Sequence, residues 1–87
     1  MATRRSIDEC LQHCEDTLRN AQDQYKDGLR QEHWDDNEYT SSLQQVEATL
    51  KELDVMNNSA NKQQKEQLYR MRLQLQQLQN EMILLDH

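Results

Sequence analysis

The sequence predicts an all-α protein, built as an antiparallel up-down-up bundle of three helices with coiled-coil-like seams. The chain has 87 residues, no Pro and one Gly, so the residues that usually interrupt helices are almost absent. Its hydrophobic residues, 34% of the total, recur at alternating steps of four and three. This periodicity indicates helical seams rather than a disordered chain. A chain of this length predicts a single domain, residues 1–87.

The first helix is expected at about residues 6–31. Its apolar row steps by four and three along Ile7, Leu11, Cys14, Leu18, Ala21 and Tyr25. Ser6 is a favourable N-cap, and Glu9 three residues later completes the pattern of a capping box. The sequence therefore predicts that this helix begins at Ser6.

The apolar row fails after the first helix, because Glu32 and Asp36 occupy positions where the seam needs apolar side chains. A break is therefore expected near residues 31–38, with Asp35 or Asp36 as the cap of the next helix. The second helix is expected at about residues 36–56. Its row consists of Tyr39, Leu43, Val46, Leu50 and Leu53.

The third helix is expected at about residues 60–85. The stretch NNSAN at residues 57–61 is rich in side chains that compete for backbone hydrogen bonds, so it predicts a turn and a new N-cap. The seam that follows consists of Leu68, Met71, Leu75, Leu78, Met82 and Leu85. Because the connections are short, neighbouring helices are expected to run antiparallel.

A second arrangement is compatible with the same spacing. One heptad phase is shared by six seam positions of the first two segments: Leu11, Leu18, Tyr25, Tyr39, Val46 and Leu53. The two segments could therefore form one bent helix. The result would be a long helical hairpin that dimerises. The polar gap at Glu32 and Asp36 favours the three-helix bundle, but the spacing does not decide whether residues 32–36 form a tight turn or a bend.

The charge of the chain argues against two classes of partner. The net charge is −6, with 13 acidic and 6 basic residues in residues 1–56 and 3 acidic and 4 basic residues in 57–87. An acidic chain without a basic stripe is poorly suited to nucleic acid or to an anionic membrane surface. The longest apolar run, residues 82–85, is far shorter than the ~20 residues of a membrane span. We expect a cytoplasmic protein with reduced thiols.

The segment ECLQHCE, residues 9–15, is the one place where the sequence suggests a chemical site. Cys10 and Cys14 are two ligand types that zinc prefers, yet a structural zinc site needs four ligands. His13 is expected to project away from them, toward solvent. Packing in the core is therefore the main interpretation of the two cysteines. The alternative is a metal-binding or thiol-sensing module, with a homodimer supplying the remaining ligands.

The third helix contains more apolar residues than one seam can bury. These surplus residues and two neighbouring arginines form the candidate interaction surface: Tyr69, Arg70, Arg72, Leu73, Ile83 and Leu84. Exposed apolar residues that cluster often mark an interface. A second interpretation pairs Glu66 with Arg70 along the helix and treats the end of the chain as frayed. The surface predicts association with protein, either another copy of the chain or a different partner.

No catalytic pattern is present in the sequence. It has no Gly-rich phosphate loop and no nucleophile elbow, and a thin core of Leu, Met and Val leaves little room for a substrate cavity. We therefore expect neither an enzyme nor a protein with a cofactor.

The two ends of the chain resemble a known family. The opening ATRRSIDECLQHCE and the closing EQLYRMRLQLQQLQNEMILL are similar to a small YtzC-like protein family of spore-forming Gram-positive bacteria. The resemblance covers nearly the whole chain. It implies a cytosolic bacterial helical protein, and it implies no activity, substrate or site. The Cys10/Cys14 pair is not part of the family's pattern, which weighs against the metal site.

Overall fold

The structure, a computed structural model, describes residues 4–30 and 36–85. These residues form three helices: α1 (Arg4–Arg30), α2 (Asp36–Asn57) and α3 (Lys62–Leu85). The described part of the chain contains no strand, and each helix packs against both others. The extents of 44 × 19 × 15 Å match a bundle one helix long, since 27 residues of helix measure ~40 Å. The prediction of an all-α bundle is confirmed.

Contacts between the helices give their directions. Thr17 of α1 contacts Thr49 of α2, and His13, four residues earlier on α1, contacts Glu52, three residues later on α2, so these helices run antiparallel. Tyr39 at the start of α2 contacts Met82 at the end of α3, so the second pair is also antiparallel. The up-down-up topology is therefore present, and α1 and α2 are not one bent helix. Residues 31–35, which connect the two helices, lie outside the described residues. The question of a tight turn or a bend, and the predicted cap Asp35, fall on that segment.

The three predicted seams form the core. Every seam position is buried or partly buried, and the fully buried apolar residues include Ile7, Tyr39, Val46, Leu53, Leu68, Leu75 and Met82. Full burial of one such side chain contributes about 1.5–3 kcal/mol, so the seams are the main source of stability.

Small side chains line the contact between α1 and α2. The buried side chains at this contact are Cys10 and Thr17 on α1 and Ser42 and Thr49 on α2. The two threonines and the serine are polar, and none of them belongs to a predicted seam. The Thr49 hydroxyl donates a hydrogen bond of 3.4 Å to Thr17 Oγ1. Because both side chains are short, this contact requires that the two helix axes approach closely.

The predicted start of the first helix is wrong by two residues. Helix α1 begins at Arg4, so Ser6 lies inside its first turn and is not the N-cap. Glu9 instead forms an ion pair of 3.1 Å with Arg5, four residues earlier. Arginine is a good helix former, and this pairing stabilises a turn that extends past Ser6.

The predicted turn and cap before α3 are confirmed. The Asn61 N–H donates to Gln64 Oε1 at 2.9 Å, and the Gln64 N–H donates to Asn61 Oδ1 at 2.8 Å. This reciprocal pair is a capping box that begins α3 directly after the turn.

Candidate functional site

Helix α3 presents apolar side chains to solvent as well as to the core. Tyr69 is 59% exposed, Leu73 47%, Ile83 54% and Leu84 84%. These are the four apolar residues that the sequence assigns to an interaction surface. Their exposure in the structure agrees with that assignment, while their role in association stays a prediction.

The four residues share one side of α3 but form two separate pairs. Tyr69 and Leu73 are one turn apart, and Ile83 lies ten residues beyond Leu73, which is about 15 Å along the helix axis. Between the pairs on the same side lie Gln76, which is partly buried, and Asn80, which is exposed. We call the six residues together the outer face of α3: Tyr69, Leu73, Gln76, Asn80, Ile83 and Leu84.

The two arginines of the predicted surface flank the outer face on opposite sides. Arg70 forms an ion pair with Glu66, with 3.4 Å between Nη2 and Oε1, so the alternative pairing expected from the sequence is present. Arg72 points toward α2 and forms an ion pair with Asp54. All four side chains are substantially exposed, so each pair contributes little to stability and can rearrange when a partner binds.

Charge is distributed unevenly along α3. Its four basic residues all precede Leu73, whereas Glu81 is the one charged residue between Leu73 and Leu85. The last turn of α3 contains no basic residue. The carbonyl groups of that turn therefore lack the positive side chain that commonly balances the negative end of a helix dipole.

The two cysteines lie inside the bundle as free thiols. Cys10 is 3% exposed and Cys14 is 0% exposed. Burial, followed by the negative charge of Glu52, raises the pKa of the Cys10 thiol, while a hydrogen bond with Cys14 lowers it. Burial raises the pKa of Cys14 to about 12, with smaller contributions from Cys10 and Glu52. Both thiols are therefore held in the protonated form, which binds metal poorly.

The acidic neighbours Glu9 and Glu15 are not the main cause of these pKa changes. In the structure burial is the largest cause, and Glu15 is the smallest contributor at Cys14. His13 points outward, where its Nδ1 lies 3.1 Å from Glu52 on α2. Within residues 4–30 and 36–85, no group of three or more potential ligands is placed to hold a metal ion.

Two parts of the surface were not predicted from the sequence. The first consists of Gln76 and Asn80, which lie between the apolar pairs of α3. They follow Leu73 by three and seven residues, and this helical spacing would have placed them on the same side of α3 as Leu73. Exposed apolar side chains also occur at Leu29 on α1 and Val55 on α2. Among the described residues, α1 and α2 each expose one large apolar side chain, whereas the outer face of α3 exposes four.

None of the three helices, over the residues that the structure describes, is both long and apolar enough to cross a membrane. This agrees with the mixed polarity of each helix.

Comparison with known proteins gives relatives over almost the whole chain. A family model described as a protein of unknown function (DUF2524) matches residues 1–84. The uncharacterised protein YtzC of Bacillus subtilis (strain 168) is 51% identical over 84 residues, which cover 97% of this chain and 93% of that protein. No solved structure matches the chain. The matched residues include α1, α2 and all but the end of α3.

Proposed function

Because the chain belongs to the DUF2524 family of proteins of unknown function, as its YtzC-like ends predict, we propose a function from its surface: it is a helical module that associates with protein. The outer face of α3 is the binding surface. The proposed activity is association alone, without catalysis or a cofactor.

One observation supports the proposal most directly. Four large apolar side chains stay exposed on one side of one helix in a chain that is otherwise sparing with apolar residues. Burial of apolar surface yields about 25 cal/mol for each Å², so a partner that covers these side chains gains free energy. An apolar face on a helix is commonly recognised by another helix that lies along it.

The charge of the chain favours protein over nucleic acid as the partner. The net charge is −6, and the basic residues of α3 are partly neutralised by Glu66 and Asp54. We also propose a cytoplasmic location, since two cysteines four residues apart do not form the disulfide framework that is typical of small secreted domains.

The metal-binding or thiol-sensing alternative has less support. A metal site would need ligands from a second chain that reach Cys10 and Cys14, but both thiols are buried within the bundle of one chain. The raised pKa of each thiol also opposes reaction with oxidants and metals.

The proposal is tested with the double variant Ile83→Asp/Leu84→Asp. We expect it to lose association, measured both as molar mass by light scattering and as capture of proteins from a bacterial lysate. The control is Val55→Asp, which introduces one aspartate at an exposed apolar position of α2. Circular dichroism verifies that both variants keep the helical content of the wild type.

Unchanged association in the double variant, by both measurements, would contradict the proposed function. Equal loss in Val55→Asp would contradict it as well, because the effect would then not depend on the outer face of α3.

A further inference from the structure

The outer face of α3 has an internal symmetry. Leu73, Gln76, Asn80 and Ile83 follow one another at steps of three, four and three residues, so the row is the same when it is followed backwards from its centre at residue 78. Its chemistry has the same symmetry, with an aliphatic side chain at each end and a carboxamide at each inner position. A surface that matches itself after a half-turn is what a twofold symmetric dimer requires.

We propose that a second copy of this chain docks antiparallel along the outer face of α3, a proposal that rests on the proposed function. In this arrangement Leu73 contacts Ile83 of the second copy, and Gln76 contacts Asn80 of the second copy. Twofold symmetry repeats each contact, so the interface has two aliphatic layers outside two carboxamide layers.

The order of the layers gives the carboxamide groups of Gln76 and Asn80 hydrogen-bond partners in the second copy. A carboxamide has both donors and an acceptor, so Gln76 and Asn80 of the second copy can exchange hydrogen bonds when water is excluded. A polar pair inside a helix–helix seam also defines the register, since a shift of one heptad would place a carboxamide against Leu73 or Ile83.

The charges favour the antiparallel direction. Arg70 and Arg72 would lie beside the last turn of α3 in the second copy, which contains no basic residue of its own. The carbonyl groups at that end carry partial negative charge, so the two guanidinium groups complement it. A parallel pairing would instead place each arginine beside the same arginine of the other copy.

A different protein is the competing occupant, but the outer face of α3 offers it less specific recognition. A foreign helix needs only an apolar stripe and acidic flanks. The symmetric order of aliphatic and carboxamide side chains has no function in that case, whereas a second copy uses every member of the row.

The test uses two single variants that complement each other only in the proposed register. Leu73→Glu and Ile83→Lys each remove one member of both aliphatic layers. Each substitution suits its own position. The introduced carboxylate would lie one turn from Arg70, and the introduced ammonium group would lie at the negative end of the helix dipole. We therefore expect both variants to fold, and circular dichroism tests this.

Light scattering over a wide range of concentration measures the molar mass. We expect the wild type to approach twice the mass of its 10.5 kDa chain, and each single variant to have the mass of one chain. An equimolar mixture of the two variants should regain the dimer mass, because one Leu73–Ile83 contact is intact and the other becomes a Glu–Lys pair. Val55→Glu is the control and should stay dimeric.

Three outcomes overturn the second copy in this register: a monomeric wild type, single variants that remain dimeric, or a mixture that stays monomeric. A monomeric wild type does not decide the proposed function, because lysate capture that Ile83→Asp/Leu84→Asp abolishes would still support it. In that case the occupant is a different protein. If the wild type is monomeric and captures no protein through the outer face of α3, both proposals fail.

Discussion

The hydroxyl of Tyr39 donates a hydrogen bond of 2.6 Å to the backbone carbonyl of Met82, across 43 positions of sequence. Tyr39 lies near the start of α2, and Met82 lies in the last turn of α3. Carbonyl groups in a last turn need partners outside the regular helical ladder, so Tyr39 acts as a cap supplied by a neighbouring helix. The bond holds the end of α3 in place just before the exposed pair Ile83 and Leu84.

Removal of this hydroxyl should weaken the bundle. We expect Tyr39→Phe to lower the free energy of unfolding by about 1–2 kcal/mol, since it leaves a buried carbonyl without this donor. In a domain of this size each kcal/mol corresponds to roughly 4–8 °C in Tm. Urea unfolding measures the effect, with Tyr69→Phe as an exposed control that should change stability by less than ~0.5 kcal/mol. Equal effects in the two variants would contradict the capping role.

The buried pair Thr17 and Thr49 should show coupling in a double-mutant cycle. Thr49→Val alone removes the donor and leaves the Thr17 hydroxyl in an apolar contact, at an expected cost of about 1–2 kcal/mol. Thr17→Val/Thr49→Val replaces both hydroxyl groups with methyl groups of similar size. The double variant should therefore lose less stability than the two single variants added together. Strict additivity in urea unfolding would show that the hydroxyl contact contributes nothing.

The capping box at the start of α3 should contribute measurably to stability. Asn61→Ala removes the acceptor of the Gln64 N–H and should cost about 1 kcal/mol. Gln63→Ala, two residues later and exposed, is the control, and it should be close to neutral. Thermal unfolding followed by circular dichroism compares the variants. If Asn61→Ala had the same Tm as the wild type, the capping box would not stabilise the start of α3.

The two thiols should react slowly with Ellman's reagent while the protein is folded. Burial raises the pKa of Cys14 to about 12, and the fraction of reactive thiolate falls roughly tenfold for each pKa unit. We expect both thiols to react rapidly once the protein is unfolded in urea. Val55→Cys adds an exposed thiol that should react at once. Rapid reaction of all thiols in the folded wild type would contradict the burial of Cys10 and Cys14.

The same pKa predicts how stability depends on pH. Well below pH 9.0, the ordinary pKa of the thiol, Cys14 is protonated in both the folded and the unfolded chain and contributes no pH dependence. Between pH 9.0 and about 12 the unfolded chain loses this proton and the folded chain keeps it, so stability should fall as pH rises. Cys14→Ala should show a shallower fall in urea unfolding over this range, and a parallel fall would refute the assignment.

The helices and their buried rows were predictable from the sequence, because helical spacing places Leu68, Leu75 and Met82 on one side of a helix whatever that side contacts. The turn before Lys62 was also predictable, since Asn side chains form caps through local hydrogen bonds. The start of α1 was not, because Ser6 is a favourable cap and Arg5 and Glu9 form a competing local pair.

The contact between α1 and α2 was decided by the tertiary structure. Thr17, Ser42 and Thr49 are polar, and no local rule predicts their burial; they are inside because their small size lets two helices approach. The raised pKa of Cys14 has a similar origin, since burial by other helices outweighs the charges of its sequence neighbours.

For the outer face of α3, the sequence determined which residues share one side of the helix, because helical periodicity is a local property. Only the packing of the three helices decided that this side faces solvent. It also decided that Arg72 is directed toward Asp54 on α2 and that Tyr39 caps the end of α3. Those relationships join residues that are far apart along the chain, and only the closed bundle brings them within contact distance.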